Sequence, residues 1–182
     1  MSVEYKLLAA SAAMLITGAA SAREDLSLCK TGWAETQSGN HAKAVELFEK
    51  CIENGELSGP SLARTYRNIG IAHRRNGQAE LAIPFYDKAL ALNPPDPWSD
   101  YINKGNAYSE IKKYDEALME YERAQKANPT HGEIPYNRGV VFERQGKPDL
   151  AAAEFRKAYE LGLRTSLLYE RMVFHKLIEP AK

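Results

Sequence analysis

From about residue 25 to residue 165, one arrangement of small, aromatic and polar positions recurs four times. Gly32, Gly70, Gly105 and Gly139 are separated by 38, 35 and 34 residues. Ala44, Ala82, Ala117 and Ala151 keep the same three intervals. So do the aromatics Phe48, Tyr86, Tyr121 and Phe155, and the small residues Cys51, Ala89, Ala124 and Ala158. Four residue classes in one register define a repeat of about 34 residues, the mark of a stacked array whose units bury their apolar faces against their neighbours.

Each unit reads as two helices. In the third, Tyr101, Gly105 and Tyr108 share a face by their three-to-four spacing. Ile111-Lys112-Lys113 closes that helix. Tyr114 to Ala127 forms the second, with Ala117, Tyr121 and Ala124 along its stripe, and Asn128-Pro129 ends it. Gly105 and Ala117 leave room for the two helices to approach, and Tyr121 fills the gap between them. Gly39, Gly77 and Gly146 fall between paired helices, where a left-handed turn residue is useful; Lys112 takes that place in the third unit. Pro148 opens its helix at a position where the missing N–H costs nothing. The expected units are about 25–58, 63–96, 98–131 and 132–165, followed by a closing helix at about 166–178 with Leu168, Met172 and Phe174 on its core side. Residues near Gly59-Pro60 lengthen the connection between the first two units, where a looser joint is expected.

These residues resemble the tetratricopeptide repeat. The third unit matches through Tyr101, Gly105, Tyr108, Ala117, Tyr121, Ala124 and Pro129. The second matches through Tyr66, Ile69-Gly70, Ala82, Tyr86, Ala89 and Pro94, with His73 for the tyrosine. The fourth keeps Gly139, Phe142, Ala151, Phe155 and Ala158, with Leu163 for the proline. The first keeps Gly32, Ala44, Phe48 and Cys51, with Glu35 for the tyrosine, and its Lys43-to-Phe48 stretch also suits the related Sel1-like repeat. The resemblance implies an all-α fold: a right-handed α-α superhelix of four helix-turn-helix repeats plus a C-terminal capping helix. It also implies a concave groove that takes a peptide or a partner protein.

In that register the expected groove residues are Trp33, Arg67, Asn68, Arg74, Ile102, Asn103, Asn106, Tyr136, Asn137 and Val140. Asn68, Asn103 and Asn137 each precede a repeat glycine by two, and an asparagine ladder can bond an extended peptide backbone; local packing explains the same asparagines equally well. Some relatives carry a clamp for C-terminal carboxylates, built from Lys and Asn, then Asn, then Lys and Arg. Here Cys29 and Trp33, or Arg67 and Ile71, stand at its first pair. Asn103 fits the middle, and Glu133 and Asn137 stand at the last pair. The clamp is incomplete, which disfavours chaperone tails as ligands.

Lys6, an apolar run from Leu7 to Ala20, and Ala20-Ser21-Ala22 before Arg23-Glu24-Asp25 make residues 1–22 an expected secretory signal peptide, leaving 23–182 as a single domain. The run falls short of the ~20 residues a spanning helix needs, so no membrane insertion is expected after cleavage. Periplasmic or secreted residence follows. In that setting the only two cysteines, Cys29 and Cys51, are candidates for a disulfide: they lie at matching distances either side of the turn near Gly39-Asn40. Two free thiols, one buried and one on the groove, are the alternative.

Acidic and basic residues balance at 24 each, which removes the polybasic signature of a nucleic-acid or membrane-surface protein. His41, His73, His131 and His175 lie in different units with no metal-ligand spacing, and phosphate loops and nucleophile elbows are missing. The expectation is therefore a non-enzymatic protein-binding module of a bacterial envelope complex, without cofactor, metal or catalytic residue. The alternatives are a self-assembling structural protein, built as a homo-oligomer, or an accessory subunit of a cell-envelope enzyme or secretion system.

Overall fold

Two helices can approach closely only where one of them lacks a side chain, and the four repeat glycines provide that space. The structure, a computed structural model, describes residues 27–55 and 57–179. The expected signal peptide at 1–22 lies outside the described residues. Helix α1 covers 27–37 of that range. It is followed by α2 (His41–Glu53), α3 (Gly59–Arg75), α4 (Ala79–Ala91), α5 (Trp98–Glu110), α6 (Tyr114–Ala127), α7 (Glu133–Arg144), α8 (Pro148–Glu160) and α9 (Ser166–Phe174). Among the described residues there is no strand, and no helix is long and apolar enough to cross a membrane.

Within each pair, the aromatic of the second helix packs directly against the glycine of the first. A Cβ added at Gly70 or Gly105 would come within 2.6 Å of the ring of Tyr86 or Tyr121, and one at Gly139 within 2.5 Å of Phe155. At Gly32 the corresponding distance to Phe48 is 3.0 Å. The four aromatics are buried, as are the flanking alanines and Cys51. The resulting cores cross unit boundaries. Phe48 packs with Ile69 and Ala72, Tyr86 with Ala107, Tyr121 with Ile134 and Val141, and Phe155 with Leu168 and Met172 of α9. No unit completes its core alone, which is why the array behaves as one stack.

The turns inside the pairs follow one geometry. Gly39, Gly77 and Gly146 have φ of 84°, 74° and 70°, and Lys112 takes the same left-handed conformation at 62°. The next residue's N–H then donates to the carbonyl five positions back: Asn40 to Glu35, Gln78 to His73, Lys113 to Tyr108 and Lys147 to Phe142, each at 2.9 Å. This is the Schellman closure, which satisfies carbonyls that the helix end leaves free.

Three expectations are corrected. The residues at Gly59-Pro60 do not lengthen the connection between the first two units: they form the first turn of α3, a helix of 17 residues, with Pro60 in a first-turn position where its missing N–H is tolerated. The closing helix ends at Phe174, not near 178, because Lys176 turns left-handed (φ 54°) and Leu177 N–H bonds back to Met172 at 2.8 Å. That ending leaves Phe174 outside the core at 76% exposure, while Leu168 and Met172 are buried.

The first helices α3, α5 and α7 touch one another in sequence along one side of the stack. That side carries the grooves described next.

Candidate partner-binding groove

Two depressions lie on the row of first helices. The larger, about 640 Å³, forms between α1 and α3. Trp33 and Lys30 of α1 face Arg64, Arg67, Asn68 and Ile71 of α3, and Leu57 from the α2–α3 connection closes one edge. Trp33 is 40% exposed, so its indole is open to a ligand rather than consumed by packing. Cys29 lies in the same wall. A disulfide joins it to Cys51 with a Cα–Cα distance of 5.6 Å, and its sulfur contacts the Thr65 hydroxyl of α3 at 3.5 Å. The bridge therefore fastens the helix that presents Trp33.

The second depression, about 320 Å³, is formed by α5, α7 and α9. Asn106, Tyr136, Asn137, Val140, Arg144 and Leu167 contribute to it. Tyr121 reaches its floor from α6, and its hydroxyl donates to Asn106 Oδ1 at 2.6 Å. The closing helix thus extends the row by one more member.

Polar pairs tie neighbouring first helices together along this face. Arg67 on α3 donates from Nε and Nη2 to the two carboxylate oxygens of Asp100 on α5, at 2.6 and 2.7 Å. Asp100 is fully buried. Its burial pushes the carboxyl above the usual range, against the Arg67 guanidinium that pulls it down. Arg74 pairs with Glu110 at 2.6 Å. Arg144 on α7 reaches back to the Ser109 hydroxyl at 2.7 Å. Glu143 on α7 accepts from Arg171 and from His175 Nε2, the latter at 2.8 Å. Such fork-like pairs fix the orientation of one unit on the next more than they add stability, since desolvation offsets much of their attraction.

The repeat itself decides the family. The model of the tetratricopeptide repeat matches residues 32–94, 61–130 and 102–162. The chain belongs to the tetratricopeptide repeat family. Members of this family hold protein partners, typically as non-catalytic modules in interaction or assembly. Among curated proteins the chain is 29% identical over 110 residues to human protein O-mannosyl-transferase TMTC1, covering 59% of this chain and 12% of that one. It is 27% identical over 101 residues to a photosystem I assembly protein Ycf3 of Prochlorococcus marinus, covering 52% and 58%. The chain therefore spans a small part of the first and little more than half of the second. Among solved structures, pilF of Pseudomonas aeruginosa superimposes with a TM-score of 0.71 at 22% identity, over 87% of this chain and 70% of that one.

With the tetratricopeptide register in hand, the expected groove residues divide into those that line a depression and those that the fold uses itself. Trp33, Arg67 and Asn68 line the first depression; Asn106, Tyr136, Asn137 and Val140 line the second. Ile102 does not belong to the groove. It is 5% exposed and packs with Ala117, Tyr121 and Ile134, because it lies one turn from Gly105 on the face that meets α6. Asn103 breaks the asparagine ladder by donating to the Ser99 carbonyl of its own helix at 2.8 Å. Arg74 lines neither depression and is engaged with Glu110. Arg67 lines the first, but its guanidinium is committed to Asp100.

Lys30, Leu57, Arg64 and Arg144 line the grooves without having been singled out from the sequence, and Leu167 and Arg171, read there only as part of the closing helix, line the second. One signal for the structural pairs was present. Arg67 and Asp100 are 33 residues apart, and Arg74 and Glu110 are 36 apart, close to one repeat period. Residues one period apart on first helices stand side by side. Opposite charges at that interval mark inter-unit pairs rather than free groove charges.

Proposed function

We propose that this chain is a non-enzymatic, exported interaction module that grips a peptide or partner protein along its concave face, within a bacterial envelope complex. The observation that carries the reading is the pair of depressions on the row of first helices, one of them presenting a half-exposed tryptophan. A leader-like segment at 1–22 and the Cys29–Cys51 bridge support residence in an oxidising compartment such as the periplasm. Asn68 and Asn137 supply amides to an extended backbone, and Trp33 and Tyr136 supply aromatic contact.

Affinity capture from an envelope extract tests this, comparing the wild-type chain with a Trp33→Ala/Asn68→Ala/Asn137→Ala variant. Arg67 and Asn103 stay intact because the fold uses them internally. The expected result is loss of the wild-type partners from the variant. Recovery of the same partners by both proteins removes the groove from the account.

Exposure of Phe174, with Leu167 and Tyr169 also exposed on α9, favours a second reading in which the chain assembles with itself through its closing end. Deleting α9 would uncover Phe155 and Ala158, so the cleaner test is Phe174→Asp. A monomer by light scattering in both wild type and variant disposes of self-assembly. A role as accessory subunit of an envelope enzyme or secretion system differs from the first reading only in the partner held.

A further inference from the structure

The groove's charge differs from the charge of the chain. The chain is neutral, with 24 acidic and 24 basic residues. Yet the charged side chains lining the α1–α3 depression are Lys30, Arg64 and Arg67, and among the described residues no carboxylate lines it. Arg67 is neutralised by the buried Asp100. Lys30 and Arg64 are exposed and hold the remaining positive charge. In the second depression Glu110 and Arg171 are each spent on a neighbour, Arg74 and Glu143. Arg144, half-turned to solvent, donates to the neutral Ser109, so its charge is uncancelled there. The unpaired charge that lines each depression is therefore positive. Between the cations, Trp33, Leu57 and Ile71 make an apolar wall, in a space of about 640 Å³ that has the size of a pocket for a bulky side chain and its flanking backbone.

We propose that the occupant of this groove is an acidic peptide segment carrying one bulky apolar residue, which seats against Trp33, Leu57 and Ile71 while neighbouring carboxylate side chains meet Lys30 and Arg64. This rests on the groove reading above. The carboxylates are side chains within the segment. A free C-terminus has no dedicated clamp here, since Arg67 already serves Asp100. Fixed positive charge beside an apolar anchor rejects basic segments by like-charge repulsion and speeds encounter with acidic ones. Lys30 and Arg64 are both exposed, and neither forms an ion pair among the described residues, so both remain available to a ligand.

Fluorescence anisotropy with three C-terminally amidated, fluorescein-labelled peptides of about 12 residues tests the assignment. The first has one phenylalanine flanked by Asp, Glu and Ser. The second replaces the acids with lysine, and the third replaces the phenylalanine with serine. The first is expected to bind at least about ten-fold tighter than either of the others at low salt, and to weaken as salt screens the contact. Lys30→Glu/Arg64→Glu should reverse the preference between the first two peptides, and Lys30→Gln/Arg64→Gln should flatten it. Unchanged circular dichroism melts confirm that these surface variants fold. Equal or tighter binding of the lysine peptide, or an acidic preference that survives charge reversal, overturns the proposal. If the peptides bind without charge preference and Trp33→Ala weakens them all, the ligand class falls while the groove stands. If none binds, or if binding ignores Trp33→Ala, both fall.

Discussion

Cutting the Cys29–Cys51 bridge should loosen one end of the stack and leave the rest. The double variant Cys29→Ala/Cys51→Ala is the appropriate perturbation, because alanine already fills the Cys51 slot in the other three units, at Ala89, Ala124 and Ala158. The bridge closes a separation of 22 residues. Loop-closure entropy for a ring of that size corresponds to about 3 kcal/mol. If the array melted as a unit, that loss would lower Tm by about 6–12 °C. In a nearest-neighbour stack the loss concentrates where the bridge acts. Among the described residues helix α1 has neighbours on one side only, and the Gly32–Phe48 contact and the bridge are the main ties that hold it to α2. Native-state hydrogen exchange of the wild type and the variant separates the two cases. Amides of α1 should exchange about two orders of magnitude faster in the variant, the equivalent of about 3 kcal/mol at tenfold per 1.4 kcal/mol. Amides of α6 to α8 should change little. Unchanged α1 exchange, or an equal acceleration across all helices, refutes the reasoning. The bridge also presents Trp33 to the groove, so a loosened α1 predicts weaker ligand binding by the same variant.

Four further outcomes follow from packing and charge. Tyr121→Phe removes a 2.6 Å bond to Asn106 and should cost about 1 kcal/mol in urea unfolding. Tyr86→Phe should be neutral or slightly stabilising, because the buried Tyr86 hydroxyl has no well-aligned hydrogen bond among the described residues: Ile71 stands where Asn106 would be, and the nearby Arg74 guanidinium is aimed at Glu110. Lys112→Gly relieves a left-handed residue and should raise stability by about 0.5–1 kcal/mol, the αL cost less the extra chain entropy of glycine. Glu154 has its pKa raised by burial, against the pull of Arg138 and Lys157. A raised folded-state value means that Glu154 contributes most below its unfolded pKa and loses that contribution as pH rises through the folded one. Stability of Glu154→Gln relative to wild type should therefore increase between about pH 4 and pH 7 in urea titrations, despite loss of the Arg138 pair. A relative decrease over that range contradicts the assignment.

Short-range sterics made most of the fold legible. A glycine facing an aromatic of the paired helix, and a left-handed turn residue at Gly39, Gly77, Lys112 and Gly146, are local requirements that a register of spacings exposes directly. Surfaces were harder. Ile102 and Asn103 are adjacent in sequence and both precede Gly105 on the same helix. A rotation of about 100° per residue sends one into the core and turns the other toward its own Ser99 carbonyl. The role of Asp100 is not legible from helical spacing within one unit, because its partner Arg67 lies a full repeat away. Phe174 fits the apolar stripe of α9 by spacing. The left-handed turn at Lys176 ends the helix there, and among the described residues nothing beyond it folds back to cover the ring.

Groove and convex face can be compared in cells by replacing single residues with a photo-crosslinking benzoyl-phenylalanine. Trp33, Asn68, Asn137 and Val140 report on the row of first helices; Leu81, Met119 and Leu150 report on exposed positions of the second helices. The account predicts partner adducts from the first group and none from the second. Adducts confined to Leu81, Met119 and Leu150 would place the binding surface on the opposite side of the stack and contradict it.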